Sequence, residues 1–466
     1  MAEFSEAQPA TRRADIGSTA TGGFKLRVLH IVESYPPDYG GGAAITTRDI
    51  CRGLSDRGHD VRVLTVESTQ GPDYHIDTEY DGAVRVDRIN LPYFKNEDPD
   101  GWALGIEKWR RHQRRIDAVV AGLVDEARPD LVDYHTVRPF GEQVLETLSH
   151  LGVPIVATLH EAWLVCSRLM LLRSPSSAAC EGPSLAKCLW CAYSHYDRNS
   201  TIAAAKLPWR VAKLGVYPAA RLIRRRRAIS AVGGAIARSK FMANVHEPHI
   251  KGTVTHIALG VNRSGLPTHL PSRPRNPLRF GFMAGFQPTK GLADVLNAAA
   301  GLRQRGKSFE LYIWGPGQTE AKIEEISRLG LKDCVFLKGL YTPEECWDAY
   351  NLIDVAVMAT TVCEPMGRIP LEAAAAGAPT IAPAIGGITE NIIDGVSGLL
   401  YRFRDGTDLG RQMARVLDEP DLVRRLIDNL PQVPDVRDRI AAIEGVYLSA
   451  LGRSPAPARP EPAVLV

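Results

Sequence analysis

No run of apolar residues in this chain of 466 approaches the length needed to span a bilayer. Met1 to Gly23 mixes charges with Ala, Ser and Thr and has no apolar core of the kind that heads a secretory signal. Both absences point to a cytoplasmic protein that opens with a flexible tail over residues 1–24. A second tail, rich in Pro, Ala and Arg, is expected over 452–466. Charge of one sign is also scarce. The formal net charge is only +3, and basicity this mild makes no case for nucleic acid. No Walker-type loop, Ser–His–Asp arrangement or carboxylate nucleophile stands out.

What is present is an ordinary globular composition, 45% hydrophobic, in a chain too long for one core. Strand and helix patterns alternate. Leu26 to Val32 reads as a strand closed by Pro36-Pro37, and Ala43 to Leu54 as a helix. Further strands are predicted over Val61 to Val66, Val84 to Ile89, Leu131 to Tyr134, Pro154 to Leu159 and Ala231 to Ala237. Pro267, Pro271, Pro274 and Pro277 then punctuate a linker. The alternation restarts with a strand at Arg279 to Met283, a helix at Leu292 to Gln304 and a strand at Glu310 to Trp314. Strands follow at Val335 to Lys338, Val355 to Met358 and Pro379 to Ala382. Two successive βα series predict an α/β protein of two doubly wound domains facing across a cleft. The expected boundaries are 25–262, a linker at 263–278, a second domain at 279–430 and a closing segment at 431–451. No Asp-x-Asp pair ends a strand in that cleft, so no catalytic metal is implied.

The stretch from Cys363 to Pro379 carries the most chemistry. It reads as a loop, Glu364-Pro365-Met366-Gly367, running into a helix that opens near Arg368. The unpaired N–H groups and positive dipole end of such a helix favour a phosphate. Glu364 on the loop and Glu372 within the helix need not share one role, and a carboxylate accepts hydrogen bonds from adjacent hydroxyls of a ribose or hexose. Gly40-Gly41-Gly42, between the first strand and helix, allows close backbone approach to an anion. A dinucleotide turn would need G-x-G-x-x-G, but Ala43-Ala44-Ile45 follow the glycines, which disfavours a nicotinamide enzyme despite Glu67 at the end of the next strand. Lys290, in Gly285-Phe286-Gln287-Pro288-Thr289-Lys290-Gly291, can set an ammonium on a diphosphate.

At these residues the chain resembles the retaining glycosyltransferases of family 4, which have the GT-B fold of two Rossmann-like domains. Glu364 and Glu372 match the family's E-x7-E element, with Gly367, Gly377 and Pro379 in place, and the likeness continues through Gly386 to Glu390 and Asp394 to Leu400. The resemblance implies a nucleoside diphosphate sugar as donor. Glu364 would contact the sugar, Glu372 the ribose and Lys290 the diphosphate. Gly41, Gly42, Met366 and Gly367 would lie against donor phosphate or hydroxyls. It places His160, after the strand ending at Leu159, as a cleft histidine near the donor sugar, and leaves His59 to a helix-to-strand turn. It also implies that the last helix, Val436 to Leu451, crosses back onto the first domain. One departure is Phe286, where the family usually has arginine. Lys290 then acts alone, or another cation such as Arg368 or Arg238 enters the cleft.

The function expected is transfer of a hexose-type sugar, with retention, to a sugar, lipid-linked or small-molecule acceptor. A nucleotide-sugar epimerase, a sugar phosphorylase or a non-catalytic sugar-nucleotide-binding scaffold stand as alternatives. The basic run Arg221 to Arg227 reads as a solvated helix end, or as a contact to an acidic membrane surface. It has no interleaved aromatics for stacking nucleic-acid bases. Finally Cys166, Cys180, Cys188 and Cys191, half of the eight cysteines, gather in an insert at about 163–200. Cys188 and Cys191 form a C-x2-C knuckle, and the four thiols suit a closed structural zinc site, with disulfides, an iron–sulfur cluster or separate thiols as alternatives.

Overall fold

A computed structural model describes residues 24–38, 41–67, 72–91, 105–136, 139–166, 168–174, 176–191, 225–267, 270, 273–317 and 319–453, without the side chains of 105–110. The expected tails fall almost wholly outside these residues.

The short apolar segments of the first half pair as β1 (Arg27–Ile31), β2 (Asp60–Glu67), β3 (Ile76–Asp81), β4 (Val84–Asn90), β5 (Leu131–Tyr134), β6 (Ile155–Leu159), β7 (Gly234–Ala237) and β8 (Thr253–His256). Their order in the sheet is β3-β4-β2-β1-β5-β6-β7-β8. All neighbours run parallel except β3, which folds back on β4. Parallel strands buried on both faces read as unbroken apolar runs, which is why most were predictable. The Gly234–Ala237 strand is shorter than the Ala231–Ala237 expected, because Ala231 and Val232 are spent in a turn.

The second half forms β9 (Leu278–Met283), β10 (Phe309–Trp314), β11 (Val335–Gly339), β12 (Val355–Val357), β13 (Thr380–Pro383) and β14 (Gly398–Tyr401), ordered β11-β10-β9-β12-β13-β14. Every pairing is parallel. This is the pair of Rossmann-like sheets expected. In each, successive strands are added to one side and then the other. The strand order therefore reverses between β1 and β5 in the first sheet and between β9 and β12 in the second, the places where open α/β sheets bind ligands.

The closing helix, Ile440–Ala450, packs against the first sheet, the return that the resemblance implied for Val436 to Leu451. Ile440, Ile443 and Tyr447 are buried in one cluster with Val28, Leu54 and Val63. Each such side chain stabilises the docking by about 1.5–3 kcal/mol. A polar clasp adds to it. Glu444 accepts from Arg57 Nε at 2.6 Å and lies 2.7 Å from His59 Nε2, while His59 Nδ1 faces the Leu26 N–H at 3.1 Å. His59 thus serves the turn between helix and strand, outside any site. Burial pulls the Glu444 carboxyl up, but His59 and Arg57 outweigh it and hold it down at about 2 against an ordinary 4.5. A depressed carboxyl contributes stability that is complete above its unfolded pKa and drains away as pH falls through the folded one. Unfolding in urea should therefore show the parent losing stability between pH 4.5 and about 2. Glu444→Gln should be weaker by about 1–2 kcal/mol at pH 7, with the difference gone at the acid end. Equal stability of the two proteins at pH 7 would refute the clasp.

Candidate active site

The two switch points meet. Arg368 Nη1, at the start of the Arg368–Ala375 helix of the second half, donates to Thr46 Oγ1 of the first at 3.0 Å. Ser239 Oγ, just after β7, donates to the Pro365 carbonyl at 2.5 Å. The Glu390 carboxylate accepts from the N–H groups of Lys240 and Phe241 at 2.8 and 2.7 Å, capping a helix of the opposite half. Two glycines mark close approaches, tight at the first and leaving no room for a side chain at the second. A Cβ on Gly42 would stand 3.3 Å from Arg368 Cδ, and one on Gly387 would stand 2.0 Å from the Pro365 carbonyl oxygen. Gly42 begins the Gly42–Asp56 helix and Gly41 caps it, so the glycine turn lies directly against the Arg368 helix.

In the second half, Lys290 closes the loop after β9 and Glu364 lies on the loop after β12, one on each side of the reversal. Lys290 Nζ and Glu364 Oε1 are 3.0 Å apart, and Thr360 Oγ1 donates to the same oxygen at 3.1 Å. Met366 and Gly367 follow immediately, held by Asn391 Nδ2 on the Met366 carbonyl at 2.7 Å. Glu372, buried one turn into the helix, accepts from Tyr350 Oη at 2.8 Å and from Arg368 Nε. Burial disfavours the Arg368 charge, yet Glu372 and Asp49 raise its pKa overall. Each carboxylate oxygen of Glu372 already has one donor and retains a lone pair for another.

Phe286 does not reach this chemistry as a polar group. It packs against the core of the second sheet. The first half also holds a buried cation. Arg238, which follows β7, is 4% exposed, and its Nε and Nη2 atoms have no hydrogen-bond partner among the described residues. Leaving such donors unmatched is costly, so a buried guanidinium in this condition is suited to an anion.

The first-half strand ends supply a hydrogen-bonded file of histidines. His160, after β6, places Nε2 2.9 Å from His135 Nδ1, with the two rings stacked. His135 Nε2 is in turn 3.0 Å from His30 Nδ1 in β1. Asp133 Oδ2 stands 3.5 Å from His135 and also accepts from Thr158 Oγ1 at 2.9 Å and from Tyr447 Oη at 2.6 Å. Thr47, from the helix after the glycine turn, lies 3.3 and 3.4 Å from the facing nitrogens of His135 and His160. Burial, His135 and Arg238 push the His160 pKa well below its ordinary 6.5, and burial holds His30 down at about 3. Burial raises the Asp133 carboxyl, but His135, His30 and Tyr447 outweigh it and keep Asp133 ionised. The buried Asp133 is thus the fixed charge at the back of the file and His160 is the neutral end. His30, Asp133 and His135 also bring one ligating atom each within 4.8 Å of one another. Their mutual hydrogen bonds, with hydroxyls on Asp133, account for that closeness. Sequence reading singled out His160 alone of this file. His30, Asp133 and Tyr447 carried no local signal, lying inside apolar strands and a distant helix.

The arginine run divides. Arg225 is buried and paired with Glu142 at 2.8 Å, so it faces protein, whereas Arg226 and Arg227 are exposed. Residues 221–224 lie outside the described residues. No helix among the described residues is long and apolar enough to cross a membrane.

Two Rossmann-like sheets with their switch points opposed, a helix start set against the glycine turn and a pair of glutamates define the GT-B class of two-domain proteins. The sequence patterns of known families agree. The pattern described as Glycosyltransferase Family 4 matches residues 40–264, and that described as Glycosyl transferases group 1 matches residues 271–433. The chain belongs to the family 4 glycosyltransferases. It is 28% identical over 173 residues to D-inositol 3-phosphate glycosyltransferase of Nocardia farcinica, a stretch covering 35% of this chain and 38% of that protein. The chain thus matches well under half the length of this curated relative. Among solved structures, sucrose-phosphate synthase from Thermosynechococcus elongatus superposes with a TM-score of 0.61 at 19% identity, covering 91% of this chain and 96% of that one. Anabaena Alr3699/HepE in complex with UDP and glucose gives 0.57 at 17% identity, covering 91% and 100%. At these identities the two likenesses speak for the fold.

Proposed function

We propose that this protein is a retaining glycosyltransferase that moves a hexose-type sugar from a nucleoside diphosphate sugar to a sugar, lipid-linked or small-molecule acceptor. The observation that carries the reading is the Lys290–Glu364 pair at the second switch point. A cation for a diphosphate and a carboxylate for sugar hydroxyls stand one hydrogen bond apart, as the phosphate and sugar of such a donor are adjacent. Several solved neighbours support it, holding UDP and glucose in one case and ADP with acarbose in another.

In this reading Glu372 accepts from ribose hydroxyls and Glu364 from the hexose. Lys290 and Arg238 stabilise the charge that grows on the diphosphate as the sugar–oxygen bond breaks. The acceptor hydroxyl attacks from the face the diphosphate leaves, and its proton passes to a leaving phosphate oxygen. Neutral His160 hydrogen-bonds the sugar without adding positive charge where an oxocarbenium centre develops. Closure of the two halves excludes water and limits donor hydrolysis. No metal is required, because protein cations face the diphosphate.

A panel of nucleotide sugars, scored by mass spectrometry for transfer or slow hydrolysis, tests the reading. Release of nucleoside diphosphate from at least one donor is expected. Binding without turnover across the panel would favour a non-catalytic scaffold, and a changed sugar without acceptor would favour an epimerase. The pH dependence gives a second test. With His160 neutral, kcat/KM should be level through pH 6.5 and fall only at clearly lower pH, as protonation adds a cation beside Arg238. A limb at 6.5 that disappears in His160→Asn would contradict the burial argument.

A further inference from the structure

The cysteine-rich insert between β6 and β7 takes no part in the donor site described above, yet its four thiols converge. A small hairpin forms where Cys180 N–H donates to the Leu171 carbonyl at 2.7 Å and Leu172 bridges Ala179, which brings Cys180 back beside Cys166. Both pack against the core of the first sheet. Cys188 and Cys191 sit three apart on a helical turn over 185–191, so their side chains share one face. All four line a single surface pocket. Its other lining residues include Arg168, Arg173 and Lys187 and no aspartate, glutamate or histidine. The ligands on offer are therefore thiols alone, which disfavours magnesium, calcium or manganese and suits zinc. A zinc ion held by four thiolates leaves a doubly negative centre, and the three bordering cations complement that charge.

We infer that Cys166, Cys180, Cys188 and Cys191 form a tetrahedral structural zinc site that clamps the insert beside the cleft. Zinc–sulfur bonds of about 2.3 Å set the sulfurs about 3.8 Å apart. In the structure they ring the pocket more widely, since the one ligating group packed within 4.8 Å among the described residues is His30, Asp133 and His135. Binding draws the exposed 185–191 turn inward onto Cys166 and Cys180. The thiols give up their protons on binding, so affinity rises with pH. With all four positions filled by sulfur, the ion has no open coordination site and is structural. Its location gives it an influence on the cleft. Cys166 and Cys180 pack against the same buried cluster that holds Cys363, the neighbour of Glu364. The clamped insert therefore flanks the Glu364 loop and shapes what reaches the acceptor side.

The test uses the full chain, expressed without a metal-affinity tag and purified under reductant without chelator. Elemental analysis should find about one equivalent of zinc. Exchange for cobalt should give the intense visible bands of a tetrahedral thiolate site. The paired variant Cys188→Ser/Cys191→Ser should lose those bands and retain less than about a tenth of the metal. If that variant fails to fold, the cobalt spectrum of the parent chain decides alone. Each of three results would overturn the inference. These are less than about a tenth of an equivalent after incubation with zinc and removal of the excess, iron with acid-labile sulfide in place of zinc, or peptide maps with disulfides among the four residues.

Discussion

Lys290→Ala is expected to lower kcat/KM for the donor by about 10²–10³-fold, and Arg238→Ala by a similar factor. The ammonium of Lys290 and the unmatched guanidinium of Arg238 belong to opposite halves of the molecule. A diphosphate held between them has a cation on either side, and that charge is worth most in the transition state, when the leaving group gains negative charge. The loss should therefore fall more on kcat than on KM. Arg238→Lys should recover part of it, since the charge returns without the guanidinium fork. Steady-state rates with calorimetric titration of the nucleoside diphosphate would check this. Unchanged kcat/KM in both folded alanine variants would remove the diphosphate from this position. The same experiment bears on Phe286. If Arg238 takes the place of the usual arginine, Arg238→Ala should be at least as damaging as Lys290→Ala.

Much of this arrangement was legible in the sequence because it is local. The Leu292–Gln304 helix begins and ends where its pattern predicts, and β5 likewise. Lys290, Glu364 and Glu372 could be found because each sits in a loop-to-helix frame with glycine and proline around it. Pairing was not legible. The edge strand β3, Ile-Asp-Thr-Glu-Tyr-Asp, lacks an apolar run because most of it faces solvent, and it exists by virtue of its register with β4. The histidine file depends on contacts separated by 105 and 314 positions in the chain, from His30 to His135 and from Asp133 to Tyr447. Nothing within a short window marks such residues as partners. Arg238 shows the same limit in another form. Its charge is visible in the sequence, but that Nε and Nη2 go without a hydrogen-bond partner among the described residues is a property of the folded surroundings.

The two glutamates should separate by which part of the donor each variant stops recognising. On the proposed reading, Glu372→Gln removes a charge facing ribose, which nucleoside diphosphate and nucleotide sugar both carry. It should weaken both by about 10- to 150-fold, the loss of a hydrogen bond to a charged group worth roughly 1.5–3 kcal/mol. On the same reading, Glu364→Gln removes a contact to the hexose alone. Nucleoside diphosphate should then bind as well as before or better, because Lys290 loses the carboxylate 3.0 Å away that competes for it. Turnover should fall by about 10²–10³-fold, if that contact strengthens as the sugar–oxygen bond breaks. A stability control is needed for Glu372, whose carboxylate also balances the half-buried Arg368. Breaking such a pair from one side can cost about 3–5 kcal/mol in the folded protein. Asp49 and Thr46 remain near Arg368 and should reduce that figure. Tyr350→Phe provides the comparison, since it removes the hydroxyl on Glu372 Oε2 and keeps the carboxylate. If Glu372→Gln weakens nucleotide binding and Tyr350→Phe does not, the carboxylate itself meets the ribose. If both proteins lose stability equally and bind nucleotide like the parent, Glu372 serves only to hold Arg368 across the cleft.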